Sequence, residues 1–297
     1  MGAHMKGYDF IMIGHISKDI MIDYSGNEER ITGGAVVYSS AAAAQSSAAV
    51  IAVSKAAAED SGLFEPLRNP KIEWVVIASP LTTSIRNTYH TADKEKREVL
   101  LLQQADPFSL EELPQVPADI YYFAGLFKGE IPETLIWPLS RKGKIALDAQ
   151  GVLRCSEGGS LVFEDWKEKH QFLPMIHYFK VDAAEAEILT GISNREAAAL
   201  RLCEWGAGEV VLTHNTEIIV CDGSSLYRAP YTNKNNSGRT GRGDTSFASY
   251  LAWRKEHNIA ESVSYAAALC SIKMESPGPF RGTIDDVYAR MRETPRF

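Results

Sequence analysis

The amino-acid sequence predicts an α/β protein: a mostly parallel sheet flanked by helices, with a small β flap added to it. Two observations carry this prediction. Short runs rich in β-branched and apolar residues alternate with stretches of helical spacing, as in a parallel sheet covered on both faces. Two further regions break this alternation with short extended pieces between charged residues. The 297 residues, 45% hydrophobic and 23% charged, suffice for one large α/β domain.

Seven runs are predicted to be strands of the main sheet, and several are almost continuously apolar, as doubly buried strands should be. A hairpin around DGSS is predicted over 217–230, and the chain after Asp244 is predicted to be helical. In chain order the predicted strands are 8–14, 48–53, 74–79, 120–124, 144–148, 177–181 and 209–213.

The predicted flap consists of residues 19–32 and 82–103, which contain IMIDYSG, TSIRNTYHT and REVLLLQ. These pieces indicate a small antiparallel sheet. No internal repeat or low-complexity linker divides the chain, so a single domain is predicted over 6–297. The opening MGAHM, residues 1–5, is interpreted as the remnant of an expression tag.

Composition and charge exclude several classes of function. The net charge of -7 argues against nucleic acid as a partner, because phosphate backbones need clustered Lys and Arg. The longest apolar region, 35–53, is alanine-rich and interrupted by polar residues, which indicates a buried helix running into a strand rather than a membrane span. The four cysteines and seven histidines show no metal-ligand spacing. These features predict a soluble cytoplasmic protein with reduced thiols.

The stretch SGRTGRGDTSFASYL, residues 237–251, joins a cationic glycine turn to the start of a predicted helix. Gly241 and Gly243 permit backbone angles that other residues avoid, so consecutive N–H groups can point one way. The free N–H groups and the dipole of a helix N-terminus attract anions. Arg239 and Arg242 add positive charge. The turn is therefore predicted to bind phosphate.

Asp244 follows this turn, and two interpretations are open from the residues alone. Asp is a favoured N-cap, so the side chain could simply start the helix. Alternatively, a carboxylate beside a phosphate site can take the proton from an attacking hydroxyl during phosphoryl transfer. The chain contains no GxxxxGKS or GxxxxGKT, and no GxGxxG opens its first helix. A P-loop and a dinucleotide fold are thereby excluded.

Residues 238–244, GRTGRGD, resemble the second signature, D-T-x-G-A-G-D, of the ribokinase-like carbohydrate kinases (the PfkB family). Four other segments resemble this family in the same order along nearly the whole chain: IMIGHISKD, TGGAVVYSSAAAA, KAAAEDSG and VDAAEAEILTG. The resemblance implies a three-layer sandwich with a β lid. DAQGVLR and KMESPGPF, taken with GRTGRGD, are similar to a subgroup associated with inositol-type kinases.

The family resemblance implies ATP-dependent phosphorylation of a hydroxyl on a small polyhydroxylated substrate: an inositol, a sugar or a sugar acid. Asp244 would be the base, and the N–H groups of Gly241, Arg242 and Gly243 would hold the transferring phosphate. The remaining assignments are the substrate contacts Asp19, Gly33, Gly34, Tyr38 and Arg154; the ATP contacts Thr213, Thr240 and Arg239; and Glu185 and Asp182, which bind Mg²⁺ largely through water.

Several points stay open from the sequence. Gly238 and Arg242 replace the Asp and Ala of the family signature, so a monovalent-cation requirement is in question. The loop THNTEI lacks the family's glycines, so the mode of adenine binding is open. Arg154 is either a substrate contact or an ordinary surface residue. Lys273 either lies near the nucleotide or simply ends a helix.

Two alternative functions also stay open: a ribokinase-like ligand-binding module without catalysis, and a nucleoside kinase. The resemblance implies that the lid excludes water from the reaction. An apolar flap face would suit a homodimer formed through the lid.

Overall fold

The computed structural model describes residues 7–91 and 97–293. Its strands are β1 (Tyr8–Ile13), β2 (Ser17–Ile22), β3 (Glu28–Gly33), β4 (Val50–Ala56), β5 (Ile72–Ala78), β6 (Thr83–Tyr89), β7 (Arg97–Gln103), β8 (Ala118–Phe123), β9 (Lys144–Asp148), β10 (Arg154–Glu157), β11 (Ser160–Phe163), β12 (Tyr178–Asp182), β13 (Glu209–Thr213), β14 (Glu217–Cys221) and β15 (Leu226–Pro230). The helices are α1 (Ala35–Gln45), α2 (Ile136–Ser140), α3 (Gln150–Leu153), α4 (Lys169–Phe172), α5 (Ala183–Thr190), α6 (Arg195–Glu204), α7 (Arg242–Arg254), α8 (Ile259–Met274) and α9 (Ile284–Glu293).

The main sheet has nine strands in the order β15-β14-β13-β12-β9-β8-β1-β4-β5. All pairs from β13 to β5 are parallel, and β14 and β15 close one edge as an antiparallel hairpin. The seven predicted strands and the predicted hairpin are all present, so this part of the prediction is confirmed. The parallel strands bring their carboxyl ends to one edge of the sheet.

Two hydrophobic cores lie on opposite faces of this sheet. The alternation of side chains along β1 places Phe10 and Met12 in one core and Ile11 and Ile13 in the other. The first core packs against α1, α7 and α8, and the second packs against α2, α5 and α6. Helices cover both faces, which confirms the predicted three layers.

A second sheet forms the lid, in the order β10-β11-β7-β6-β2-β3. Strands β2 and β6 pair in parallel, and the other pairs are antiparallel. The predicted flap is present in β2, β3, β6 and β7, but the β10–β11 hairpin was not predicted. Arg154, expected after a strand of the main sheet, follows β9 and α3 along the chain and is the first residue of the lid strand β10. Residues 92–96 of the predicted flap and the predicted tag remnant, 1–5, lie outside the described residues.

None of the helices within residues 7–91 and 97–293 has the length and apolar character needed to cross a bilayer.

Candidate active site

A cavity of about 340 Å³ lies where the carboxyl ends of the parallel strands meet the lid. Open α/β sheets bind ligands at this edge. Every site residue predicted from the sequence lines the cavity except Gly33, where a Cβ would overlap the carboxylate of Asp19. The predicted residues that line it are Asp19, Gly34, Tyr38, Arg154, Asp182, Glu185, Thr213, Arg239, Thr240, Gly241, Arg242, Gly243 and Asp244.

The turn before α7 is shaped by a glycine in the left-handed region. Gly241 has φ +79°, and a Cβ there would overlap the ring of Tyr38, so only glycine fits. The N–H of Arg242 donates to the backbone oxygen of Arg239 at 3.2 Å. The N–H groups of Gly241 and Gly243 have no acceptor among the described residues. Two of the three predicted phosphate-binding N–H groups therefore remain available to an anion.

Asp244 lies in the first turn of α7 with its side chain at the cavity. The N-cap of this helix is Gly241, without a side-chain cap, so the capping interpretation of Asp244 is wrong. Burial raises the pKa of Asp244 to about 6, and the nearby Asp148 carboxylate acts in the same direction against Lys180 and Lys273. A carboxylate tuned towards neutral pH suits a general base.

A buried lysine lies beneath the turn. The Nζ atom of Lys180 is 3.0 Å from Oδ1 of Asp148 and 3.5 Å from Oε2 of Glu185. A Cβ on Gly243 would lie 3.3 Å from the same Nζ, which places the ammonium against the backbone of the turn. Burial lowers the pKa of Lys180, but the surrounding carboxylates outweigh burial and raise it well above its usual value. The cavity therefore holds a permanent positive charge.

Asp182 and Glu185 start helix α5 through a reciprocal capping box. Oδ1 of Asp182 accepts from the N–H of Glu185 at 2.8 Å, and Oε2 of Glu185 accepts from the N–H of Asp182 at 2.7 Å. Burial, with repulsion from Asp182 and Asp148, outweighs the attraction of Lys180 and raises the pKa of Glu185 to about 8. In residues 7–91 and 97–293 no group of three or more His, Cys, Asp or Glu could hold a metal alone.

Three lid strands place polar side chains at the other end of the cavity. Asp19 comes from β2, Asn87 from β6 and Arg154 from β10. The guanidinium of Arg154 stacks at 4.6 Å on the ring of Phe127, and Ser17 adds a hydroxyl with no partner among the described residues. A carboxylate, an amide, a guanidinium and a hydroxyl together can match the donors and acceptors of a polyhydroxylated ligand.

Sequence analysis missed Lys180 and Asn87 and left the role of Lys273 open. A lysine inside the buried run YFKVD was the available signal for Lys180, since lysine is seldom buried unless it is paired. For Asn87 the only signal in the sequence was its position in the predicted flap. Lys273 lies at the end of α8 but is not an ordinary helix-end residue, because its ammonium donates to the backbone oxygens of Gly238 and Thr240.

A scan of protein-family models and a search of curated proteins found no match to this chain. Solved structures do match. A pyrophosphate-dependent kinase in the ribokinase family, complexed with a pyrophosphate analog and myo-inositol, is 35% identical with a TM-score of 0.87. The alignment covers 94% of this chain and 99% of that chain.

A second similar structure is a pyrophosphate-dependent myo-inositol-1 kinase converted into a myo-inositol-3 kinase by a double mutation. It is 34% identical with a TM-score of 0.86, over 96% of this chain and 99% of that chain. The ribokinase of Arabidopsis thaliana, complexed with ribose and ATP, is 14% identical with a TM-score of 0.74, over 96% and 99% of the two chains. This more distant likeness shows the fold alone.

Proposed function

The chain belongs to the ribokinase family, and we propose that it is a kinase that transfers a phosphoryl group from pyrophosphate to a hydroxyl of a cyclic polyol. One observation carries this proposal. The carboxylate of Asp244 lines the same cavity as the anion-binding turn and the polar lid residues. Tyr38 lines the cavity together with Asp19 and Asp244, and burial and the charges of both carboxylates raise its pKa. This arrangement supports a proposed base that adjoins the proposed donor and acceptor sites.

The acceptor is proposed from the lid end of the cavity. Each hydroxyl of a polyol both donates and accepts hydrogen bonds, and Asp19, Asn87 and Arg154 offer both kinds of partner. One similar solved structure is complexed with myo-inositol, and another is named a myo-inositol-1 kinase. These two observations support an inositol as the acceptor.

The donor is proposed from the opposite end of the cavity. Lys180 of β12, Thr213 of β13, and Arg239 and Arg242 at the turn that starts α7 line the cavity, and all are suited to phosphate oxygens. The cavity lining also includes three apolar residues. Met21 and Ile85 lie on the lid strands β2 and β6, and Leu126 follows β8. An adenine ring needs apolar walls, and the described lining residues from β12, β13 and the turn that starts α7 are all polar or glycine.

The size of the cavity supports the same donor. Its volume of about 340 Å³ is near the lower end of the range for single-ligand pockets, about 300–1,000 Å³, and it has to hold donor and acceptor together. The family resemblance implied ATP, whereas the relatives at 34–36% identity are named pyrophosphate-dependent. Pyrophosphate is therefore the proposed donor, and ATP is the alternative that the experiment below tests.

The proposed chemistry is an in-line phosphoryl transfer. Asp244 accepts the proton of the attacking hydroxyl as the new oxygen–phosphorus bond forms. The bond between that phosphorus and the bridging oxygen of pyrophosphate breaks, and inorganic phosphate leaves. The N–H groups of Gly241 and Gly243, with the charge of Lys180, would stabilise the negative charge on the transferring group.

Magnesium fits the carboxylates of this site when it is bound largely through water. Mg²⁺ usually keeps several waters and uses one or two carboxylates together with substrate phosphates. Glu185 and Asp182 line the cavity, and an arriving cation would favour the ionised form of Glu185. Bound there, the ion would supply positive charge to the donor phosphates.

The proposed function is tested by offering pyrophosphate and ATP, each with Mg²⁺, against a panel of inositols, sugars, sugar acids and nucleosides. Product is followed by phosphorus NMR. We expect kcat/KM for pyrophosphate to exceed that for ATP by at least about tenfold with an inositol as acceptor. The reverse ratio would reject the donor and keep the kinase. Calorimetric binding of pyrophosphate without product from any pair would indicate a binding module instead.

The rate is expected to fall in acid because the proposed base must be ionised. The pKa of Asp244 is raised to about 6, and bound pyrophosphate adds negative charge that raises it further. Below this pKa, kcat/KM for the polyol should drop about tenfold per pH unit. Above it the profile should be flat up to about pH 7.5. Initial rates from about pH 3.5 to about pH 7.5 give this limb. A limb near pH 4, the ordinary range of an aspartate, would contradict the assignment.

A further inference from the structure

The end of α8 carries a buried lysine that the proposed reaction does not use. Lys273 is only 2% exposed, and its ammonium donates hydrogen bonds to the backbone oxygens of Gly238 and Thr240. The ammonium also lies 4.9 Å from the centre of the Tyr38 ring, within range of a cation–π contact. A buried charge is costly unless its neighbours replace the lost water. Here two carbonyl oxygens and an aromatic face do so.

Both carbonyl groups belong to the turn that precedes α7. The N–H of Gly238 donates to the backbone oxygen of Met274 at 2.8 Å, and a Cβ on Gly238 would overlap the backbone oxygen of Ser276. The turn is therefore pressed against the end of α8. Thr240 directly precedes Gly241, the N-cap of α7. The contacts of Lys273 thus fix the backbone from which the phosphate-binding N–H groups project.

A free monovalent cation does not fit at this point. The family resemblance implies a monovalent-cation site around this turn, and the sequence left that requirement open. Backbone carbonyl oxygens are the ligands that such an ion uses. In this protein the two carbonyl groups already face the ammonium of Lys273, which would also repel a second cation.

We propose that Lys273 is a positioning residue that supplies, from within the chain, the cation that holds the phosphate-binding turn in place. The protein then needs no added K⁺ or NH₄⁺. The proposal rests on the proposed function only where activity is the readout.

The surroundings of Lys273 provide a second readout. Burial lowers the pKa of Lys273 to about 8, against the opposing influence of Cys270 on the same helix and of Asp244 on α7. Tyr38 of α1 presents its ring, and burial keeps the pKa of its hydroxyl above the usual value. Lys273 is therefore charged below pH 8 and loses its charge as the pH rises through 8. The hold on the turn should weaken over the same interval.

The first test uses the wild-type protein. Rates are compared in choline, sodium, potassium and ammonium chloride at one ionic strength. We expect them to agree within about twofold, since the cation is part of the chain. Activation by K⁺ of about tenfold or more would overturn the proposal.

The second test uses Lys273→Ala, with Lys234→Ala as the matched control at an exposed lysine near the same turn. We expect kcat/KM for pyrophosphate to fall about 100-fold in Lys273→Ala, because two buried carbonyl groups lose their donor. Added methylammonium or NH₄⁺ should raise kcat/KM of Lys273→Ala by about tenfold. A folded Lys273→Ala protein with the activity of the wild type would overturn the proposal.

Lys273→Arg provides a variant that keeps its charge at every assay pH. The wild-type rate should decline above pH 8, and the decline should be absent in Lys273→Arg. Identical declines in the two proteins would overturn the proposal, and this comparison stands even if Lys273→Ala does not fold.

Thermal unfolding separates a failure of this proposal from a failure of the proposed function. If no donor and acceptor give product, the proposed function fails, but the cation contact can still be tested. A bound cation stabilises the folded state, so NH₄⁺ or K⁺ should raise the Tm of Lys273→Ala relative to choline and leave the wild type unchanged. Equal effects on both proteins would overturn the proposal.

Discussion

Asp244→Asn is expected to lower kcat by about 10²–10⁴-fold, the range for loss of a general base. The amide keeps the size and polarity of the carboxylate but does not accept the proton of the attacking hydroxyl. The N–H groups proposed to bind phosphate belong to Gly241 and Gly243, so the donor should still bind. Single-turnover rates with pyrophosphate and the polyol, beside calorimetric donor affinity, measure the two effects separately.

The stability of Asp244→Asn distinguishes lost chemistry from lost structure. The folded-state pKa of Asp244 is raised to about 6, above the ordinary value, so its ionised form opposes folding at neutral pH. The variant should therefore be at least as stable as the wild type at pH 7.5, as measured by Tm. Asp285→Asn is the matched control, because it makes the same change at an exposed position of α9. A variant that keeps kcat within tenfold would exclude Asp244 as the base.

The main sheet could be predicted because each of its strands is recognisable from a short stretch of sequence. Runs such as KIALD and EVVLT are short, apolar and bounded by helical stretches, so each identifies a doubly buried strand without knowledge of its neighbours. The glycine turn could also be recognised from the sequence, since Gly241 and Gly243 precede an aspartate at the start of a predicted helix. Resemblance to a family then ordered these pieces in space.

The third lid hairpin could not be predicted in the same way. Strands β10 and β11 have only four residues each, and their attachment to the lid is a pairing between Ser160 and Leu100, which are distant along the chain. Short strands with partially buried faces carry little periodicity. Arg154 was therefore expected near the site for a different reason from the one observed, as a residue after a main-sheet strand.

The buried lysines show a second limit of sequence reasoning. Lys180 and Lys273 each interrupt an apolar run, and an interruption alone does not reveal a partner. The partners come from other elements: Asp148 ends β9, and Gly238 and Thr240 belong to the loop before α7. Whether such a lysine stabilises or destabilises the folded state depends on those contacts, because an unpaired buried lysine would be destabilising.

Lys180→Met is expected to lower both the activity and the free energy of unfolding. The substitution keeps an unbranched side chain of similar length but deletes the charge beneath Gly243, so kcat/KM for the donor should fall about 10²–10³-fold. It also leaves Asp148 buried without its partner at 3.0 Å, which should cost about 3–5 kcal/mol of the free energy of unfolding. Urea unfolding measures the second effect. Lys144→Met, at the exposed start of β9, is the matched control and should change neither quantity.

A second substitution separates the two roles of Lys180. Adding Asp148→Asn to Lys180→Met removes the stranded carboxylate, so about half or more of the lost stability should return. Activity should not return, because the positive charge proposed to face the donor phosphates is still missing. Recovery of kcat/KM together with stability would show that Lys180 only supports the fold. Recovery of stability alone would show that the charge of Lys180 acts in the transfer step. The proposed donor, pyrophosphate, has no base or ribose to anchor it, so its binding would depend on every cation of the cavity.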